Sequence, residues 1–203
     1  MKIVIVDYKM GNIHSVARKL KILGATYEIS NNPEAIKAAD KLILPGVGHF
    51  GNAMRQLSES NLIEVLNEVV LNQNKPILGI CLGMQLMANY SEEGNVKGLG
   101  WIDGQVARFQ VSDKLRYKIP HTGWNKIKIC KESFINQGLS NDSEFYFVHA
   151  YYFQANNDSD ILHKTSYEQE FVSAVQKENI VGVQYHPEKS HDSGLQLIKN
   201  FVF

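Results

Sequence analysis

A chain of 203 residues, 44% of them hydrophobic, is long enough to bury one sizeable core, and it reads as a single domain spanning residues 1–203. Its 21 Lys and Arg balance its 21 Asp and Glu, and no basic stripe favours nucleic acid or an anionic membrane as a partner. No stretch approaches the roughly 20 apolar residues of a membrane span, and two cysteines with no export signal point to a reduced, cytoplasmic protein without a metal site.

The first half alternates strand and helix. Lys2-Ile3-Val4-Ile5-Val6-Asp7 reads as a buried strand that begins at once. A helix near 11–23 carries Ile13, Val16, Ala17, Leu20 and Leu23 on one face, and Gly24 stops it. A second strand covers Thr26-Tyr27-Glu28-Ile29, and a short helix near 33–39 has Pro33 in its first turn. Lys41-Leu42-Ile43-Leu44 is a third strand, ended by Pro45. Next comes the glycine-rich run Gly46-Val47-Gly48, whose backbone can approach a ligand closely or present an N–H to it. It is no phosphate loop, since no Gly-Lys-Ser/Thr follows. A helix near 61–72 leads to a fourth strand at 76–80.

That fourth strand enters Gly79-Ile80-Cys81-Leu82-Gly83. A strand that breaks sharply into a helix needs glycines flanking the turn, where a Cβ would clash. The apex residue then points out of the sheet, as the serine does in Gly-x-Ser-x-Gly elbows. Here the apex is Cys81, and a thiolate is the stronger nucleophile at neutral pH. A helix from Leu82 to Ala88 places Cys81 at a positive helix terminus, which favours the thiolate. The unpaired N–H of Leu82 is placed to receive an oxyanion, with Gly46-Val47-Gly48 as source of a second donor. A buried structural cysteine is the competing reading of the same five residues.

The second half changes character. Runs near 100–109, 124–130, 145–155, 161–166, 171–176 and 180–185 read as strands with short polar turns. They imply an antiparallel or mixed sheet added to a central, mostly parallel sheet flanked by helices, an α/β fold. Cys130, in the alternating run Ile127-Lys128-Ile129-Cys130, reads as packing. A closing helix near 190–201 carries Leu195, Ile198 and Phe201. A nucleophilic cysteine requires a base, and the base an orienting group. His186 emerges at the end of the last strand, Pro187 forces a turn, and extended geometry puts Glu188 on the same side as His186. A surface turn with ordinary His and Glu is the plainer alternative.

Taken together, Gly79-Ile80-Cys81-Leu82-Gly83-Met84-Gln85, Pro45-Gly46-Val47-Gly48 and His186-Pro187-Glu188 resemble the triad-type, class I glutamine amidotransferases, with their flavodoxin-like sheet. Asp7-Tyr8-Lys9-Met10-Gly11-Asn12, Ile119-Pro120-His121-Thr122-Gly123-Trp124-Asn125, Tyr146-Phe147-Val148-His149-Ala150-Tyr151 and His186-Pro187-Glu188-Lys189-Ser190 are similar to motifs of glutaminase subunits of imidazole glycerol phosphate synthases. The likeness runs from residue 3 to about 201. It implies a cofactor-free enzyme in which Cys81 attacks glutamine, His186 moves protons and Glu188 orients His186. Gln85 and His149-Ala150-Tyr151 would contact the substrate. A (β/α)8-barrel cyclase would receive the ammonia, docking on exposed Pro120, His121, Trp124 and Asn125.

Three positions depart from that pattern. Lys9 stands where the family has glycine, Thr122 where it has methionine and Ala150 where it has serine. None belongs to the triad. Lys9 and Thr122 leave open a paralogue that feeds ammonia to a sugar amidotransferase of surface-polysaccharide assembly. A catalytically silent binding module and a cysteine peptidase are two further readings, opposed respectively by the intact triad and by Gln85.

Overall fold

A computed structural model describes residues 1–203. The first half forms β1 (Lys2–Val6), α1 (Ile13–Ile22), β2 (Thr26–Ser30), α2 (Pro33–Ala38), β3 (Lys41–Gly46), α3 (Phe50–Glu59), α4 (Leu62–Asn67), β4 (Ile77–Cys81) and α5 (Leu82–Gln85). Asn32 caps α2 by accepting from the Glu34 N–H, and Pro33 supplies the pre-set φ of its first residue. The expected helix at 61–72 is present, its second part wound as a π-helical turn at Glu68–Asn72. The helix after Cys81 is a single turn, shorter than expected, because Met87 and Ala88 turn away to meet the loop at 99–102. The helix α3 has no counterpart in the sequence reading, although Phe50, Ala53, Met54 and Leu57 give it an apolar face.

The second half contributes β5 (Tyr90–Ser91), β6 (Val96–Lys97), β7 (Gly104–Arg108), β8 (His121–Lys126), β9 (Lys128–Ile129), β10 (Glu144–His149), β11 (Tyr151–Ala155), β12 (Ile161–Ser166), β13 (Glu170–Lys177), β14 (Ile180–Val183) and α6 (His191–Val202). The antiparallel strands do not build a separate layer. One twelve-stranded sheet runs β2-β1-β3-β4-β14-β13-β11-β7-β5-β6, with β12 and β9 branching from β13. Only β8 and β10 stand apart as a two-stranded antiparallel sheet. Strands β2, β1, β3, β4 and β14 are mutually parallel, and the direction reverses at β13.

Continuous apolar runs mark the central parallel strands, because both faces are covered. Ile3, Ile5, Ile43 and Leu78 point to one face, where α1 (Val16, Ala17, Leu20) and α6 (Leu197, Ile198, Phe201) pack. Val4, Val6, Leu42, Leu44 and Ile77 point to the other, under Ile36 of α2 and Phe50 and Leu57 of α3. The expectation for Cys130 fails: it is exposed. The strand period turns Ile127 inward, so residue 130 on the opposite phase faces solvent.

Candidate active site

Adjacent parallel strands end on the same sheet edge, and β4 and β14 are such neighbours, with Ile80 paired to Val183. The chain therefore delivers Cys81 from one strand and His186, three residues beyond the other, to one place. Cys81 adopts φ 54° and ψ −109°, a conformation that L side chains rarely take. Close packing holds it there. A Cβ on Gly83 would lie 1.9 Å from the Leu44 carbonyl oxygen. One on Gly46 would lie 2.5 Å from the Tyr8 hydroxyl and 2.8 Å from the Gly83 nitrogen. The elbow backbone thus rests directly on β3, where Gly46 is the register partner of Cys81.

His186 and Glu188 meet as expected, by a different geometry. Pro187–Lys189 form a 3₁₀ turn rather than continuing the strand, and the turn folds Glu188 back beneath the imidazole. His186 Nδ1–H donates to Glu188 Oε1 at 2.8 Å, with both side chains 1% exposed. The main chain of His186 is held at both ends: its N–H donates to the Tyr146 carbonyl and its carbonyl accepts from the Ser190 hydroxyl. Burial works to lower the His186 pKa, but the adjacent Cys81 thiolate and Glu188 outweigh it and raise the value to about 10. His186 Nε2 has no hydrogen-bond partner within the usual limits.

A cleft of about 310 Å³ opens over this pair. Its walls include Val47, Gly48, Leu82, Gln85, Pro120, His149, Ala150 and Tyr151, so the turn after β3 meets the elbow there, while the turn after β1 lines no part of the cleft. Leu82 is the first residue of α5, so its N–H has no acceptor within the helix. Gly48 follows β3 with φ +105°, a value glycine takes freely. Gly46 does not line the cleft. Glu93, Val148 and Lys189 also line it and were not foreseen. The Glu93 carboxylate is anchored by the Phe50 N–H at the start of α3. A larger cleft of about 600 Å³ lies elsewhere, beside Arg108, Lys114 and Lys118, and includes neither Cys81 nor His186.

The residues expected at a partner surface divide. Trp124 is 45% exposed and stacks on His191 at 4.8 Å. Pro120 is exposed at the cleft mouth as expected, whereas Asn125 is half-buried rather than exposed, its Nδ2 donating to the Ser166 carbonyl at 2.7 Å. The expected exposure of His121 is wrong: it is 2% exposed, stacked between Phe147 and Tyr167. Pairing with β10 explains this, since His121 opposes His149 across the ladder on the inward face. No group of three or more His, Cys, Asp or Glu is arranged to hold a metal ion, and no helix is long and apolar enough to cross a membrane.

The sequence profile of the family described as Glutamine amidotransferase class-I matches residues 4–203. The chain belongs to this family. Among class I glutamine amidotransferases it is 48% identical over 200 residues to "Imidazole glycerol phosphate synthase subunit HisH 2" of Methanococcus maripaludis, covering 98% of each chain. It is equally 48% identical to "Imidazole glycerol phosphate synthase subunit HisH 1" of Campylobacter jejuni, again over 98% of both. A solved structure described as a glutamine amidotransferase shares the fold, with TM-score 0.75 at 18% identity over 97% of this chain and 98% of that one. So does a putative GMP synthase subunit from Thermoplasma acidophilum, with TM-score 0.74 at 21% identity over 100% of this chain and 92% of that one. Beside the amidotransferase elbow, the sequence reading also assigned no role to Gln184, whose Nε2 lies 3.7 Å from Cys81 Sγ. It lies two positions before His186, in the bend that follows β14.

Proposed function

We propose that this chain is the glutamine-hydrolysing subunit of an imidazole glycerol phosphate synthase, working in the cytoplasm in histidine biosynthesis. The observation that carries the chemistry is the buried Cys81–His186–Glu188 constellation under a cleft of about 310 Å³. The relatives at 48% identity over nearly the whole chain support the pathway.

Cys81 Sγ attacks the carboxamide carbon of glutamine, and the carbonyl π electrons move onto oxygen. The Leu82 N–H and an N–H of Gly46-Val47-Gly48 receive that oxyanion; one such donor contributes roughly 3–4 kcal/mol to lowering the barrier. Attack also consumes the thiolate charge that keeps the His186 proton in place. The imidazolium therefore becomes a better acid at the step that needs one. It protonates the departing nitrogen, the C–N bond breaks, and ammonia leaves a glutamyl thioester. His186 then takes a proton from water, hydroxide adds to the thioester carbonyl, the C–S bond breaks with its electron pair returning to Cys81 Sγ, and glutamate departs. Glu93 and Lys189 on the cleft wall match the α-ammonium and α-carboxylate of a free amino acid. That pairing favours glutamine over an extended peptide.

The ammonia acceptor in this reading is a (β/α)8-barrel cyclase docked on the face bearing Trp124. That face adjoins the triad, since Trp124 packs against Tyr146, whose carbonyl accepts from the His186 N–H. A second reading keeps the glutaminase and changes the acceptor to a sugar-modifying synthase. It is favoured by Lys9, which holds φ 67° at an exposed turn where the family has glycine. The relatives from M. maripaludis, C. jejuni and Pseudomonas aeruginosa also carry copy numerals in their names.

The test is glutamate release from glutamine, measured alone and with each candidate synthase. Cys81→Ala should abolish release while leaving the complex intact by gel filtration. Retained hydrolysis in that variant sinks the nucleophile assignment. Stimulation by a sugar-modifying synthase and none by the cyclase selects the second reading.

A further inference from the structure

Gln184 is fully buried, lines no part of the cleft, and places its side-chain nitrogen 3.7 Å from Cys81 Sγ. A side-chain amide presents oxygen or nitrogen equally well unless its surroundings decide. Here they decide. The Tyr151 carbonyl can only accept, so the Gln85 group facing it at 3.0 Å is Nε2. The second proton of that same nitrogen points to Gln184, at 2.9 Å. Only the Gln184 oxygen accepts it, so the Gln184 NH₂ is turned toward sulfur. The orientation passes from a backbone carbonyl of β11, through two buried amides, to the reacting atom.

Resting on the assignment of Cys81 as nucleophile, we propose that Gln184 is a catalytic residue of this site, donating a hydrogen bond to the Cys81 thiolate, and that Gln85 is the residue that positions it. The donor holds the sulfur in place for attack and favours the thiolate over the thiol. It complements His186 from the opposite end of the same short segment. Gln85 spends both N–H groups inside the protein, so only its carbonyl oxygen remains for glutamine. Because Gln184 stays behind the sulfur, its loss acts on the nucleophile and spares substrate binding.

The experiment reads Cys81 directly, by its rate of alkylation with iodoacetamide across pH in the full chain, with exposed Cys130 replaced by serine to leave one reactive thiol. Gln184→Met keeps the shape and removes the donor. On the acid limb of the profile alkylation should fall about tenfold, the modest end for a hydrogen bond to a charged acceptor. The pH at half-maximal rate should move up. With the synthase present, kcat should fall similarly while KM for glutamine changes less than about twofold. Gln85→Met leaves Gln184 in place but frees it to turn, and should shift alkylation the same way by less. A folded Gln184→Met protein with the original alkylation rate and pH profile overturns the proposal. If Gln184→Met does not fold, an unchanged profile in Gln85→Met overturns it instead. The control is Cys81→Ala: continued glutamine hydrolysis there refutes the nucleophile itself, whereas a dead Cys81→Ala with normal Gln184→Met refutes only the role of Gln184.

Discussion

Three histidines outside the triad make acid stability a quantitative test of this structure. Burial lowers the pKa of His121 to about 4 and, as the leading cause, those of His149 and His163 to about 3. Their hydrogen bonds fix neutral tautomers. His149 Nδ1–H donates to the Tyr151 carbonyl at 2.8 Å, so its Nε2 accepts from His121 Nδ1–H at 3.1 Å. His163 Nε2–H donates to Asn136 Oδ1 at 2.6 Å and its Nδ1 accepts from the Tyr185 hydroxyl at 2.8 Å. Each group is neutral when folded and binds a proton on unfolding below about pH 6.5. Stability is thus present above that value and lost as pH falls toward the folded pKa. Between about pH 7 and pH 5 each histidine removes about 2 kcal/mol, or about 6 in all, against a typical total of about 5–15.

The window isolates these groups. Carboxylates such as Glu28, Glu68 and Glu170 have lowered pKa values, so their loss begins near or below the unfolded value of about 4.3. His186 runs the other way: its pKa is raised to about 10, so its contribution is full below about 6.5 and fades as pH rises toward 10. Urea unfolding followed by the fluorescence of Trp101 and Trp124 at successive pH values measures the slope. His163→Gln, which can still accept from Tyr185 and donate to Asn136, should flatten that slope by about one third. A total loss below about 2 kcal/mol from pH 7 to pH 5, the share of a single histidine, refutes the reasoning.

Other perturbations have equally definite outcomes. Gly83→Ala forces a Cβ to 1.9 Å from the Leu44 carbonyl oxygen, and should cost about 3 kcal/mol or more by urea midpoint. Glu188→Gln keeps the contact with His186 but removes the charge that orients it. Synthase-stimulated kcat should fall at least about 100-fold with KM for glutamine nearly unchanged, measured by steady-state glutamate release. Trp124→Ala removes an exposed aromatic stacked on His191. It should weaken synthase binding about 30-fold in calorimetry, about 2 kcal/mol, without changing the rate of Cys81 alkylation.

The sequence was most informative where chemistry sits in short contiguous runs. Gly79 through Gly83 spelled a sharp elbow because only glycine tolerates such contacts, and the structure shows the Gly83 contact against Leu44. What was illegible is what long-range pairing decides. Period-two alternation marks the strands of β10 and β11 but not that Ala150 breaks them, sending one to β8 and the other to β7 and β13. For the same reason His121 read as surface, when its cross-strand partner His149 draws it inward. Cys130 erred in the opposite direction, by one strand phase. Helix α3 was missed because its N-cap is a histidine, His49, outside the usual capping set. Gln184 was hidden differently: its partner Cys81 lies 103 residues away, and nothing local marks an amide as facing sulfur.

The reversal of strand direction at β13 explains how the work of the site is divided. In the proposed reaction Cys81 and His186 need a fixed separation throughout, and they come from β4 and β14, neighbours buried on both faces. Gly46-Val47-Gly48, the proposed source of an oxyanion donor, ends and follows β3, the next parallel strand on the other side of β4. All three segments are therefore carboxyl ends projecting from one edge of a rigid parallel core, where open α/β sheets present ligand sites. Strands beyond the reversal cannot contribute such ends to that edge in the same way. They contribute the turn between β10 and β11, whose Tyr151 carbonyl sets Gln85 and, through it, Gln184. A perturbation of the antiparallel half should therefore reach Cys81 through the two amides before it disturbs the distance from Cys81 to His186.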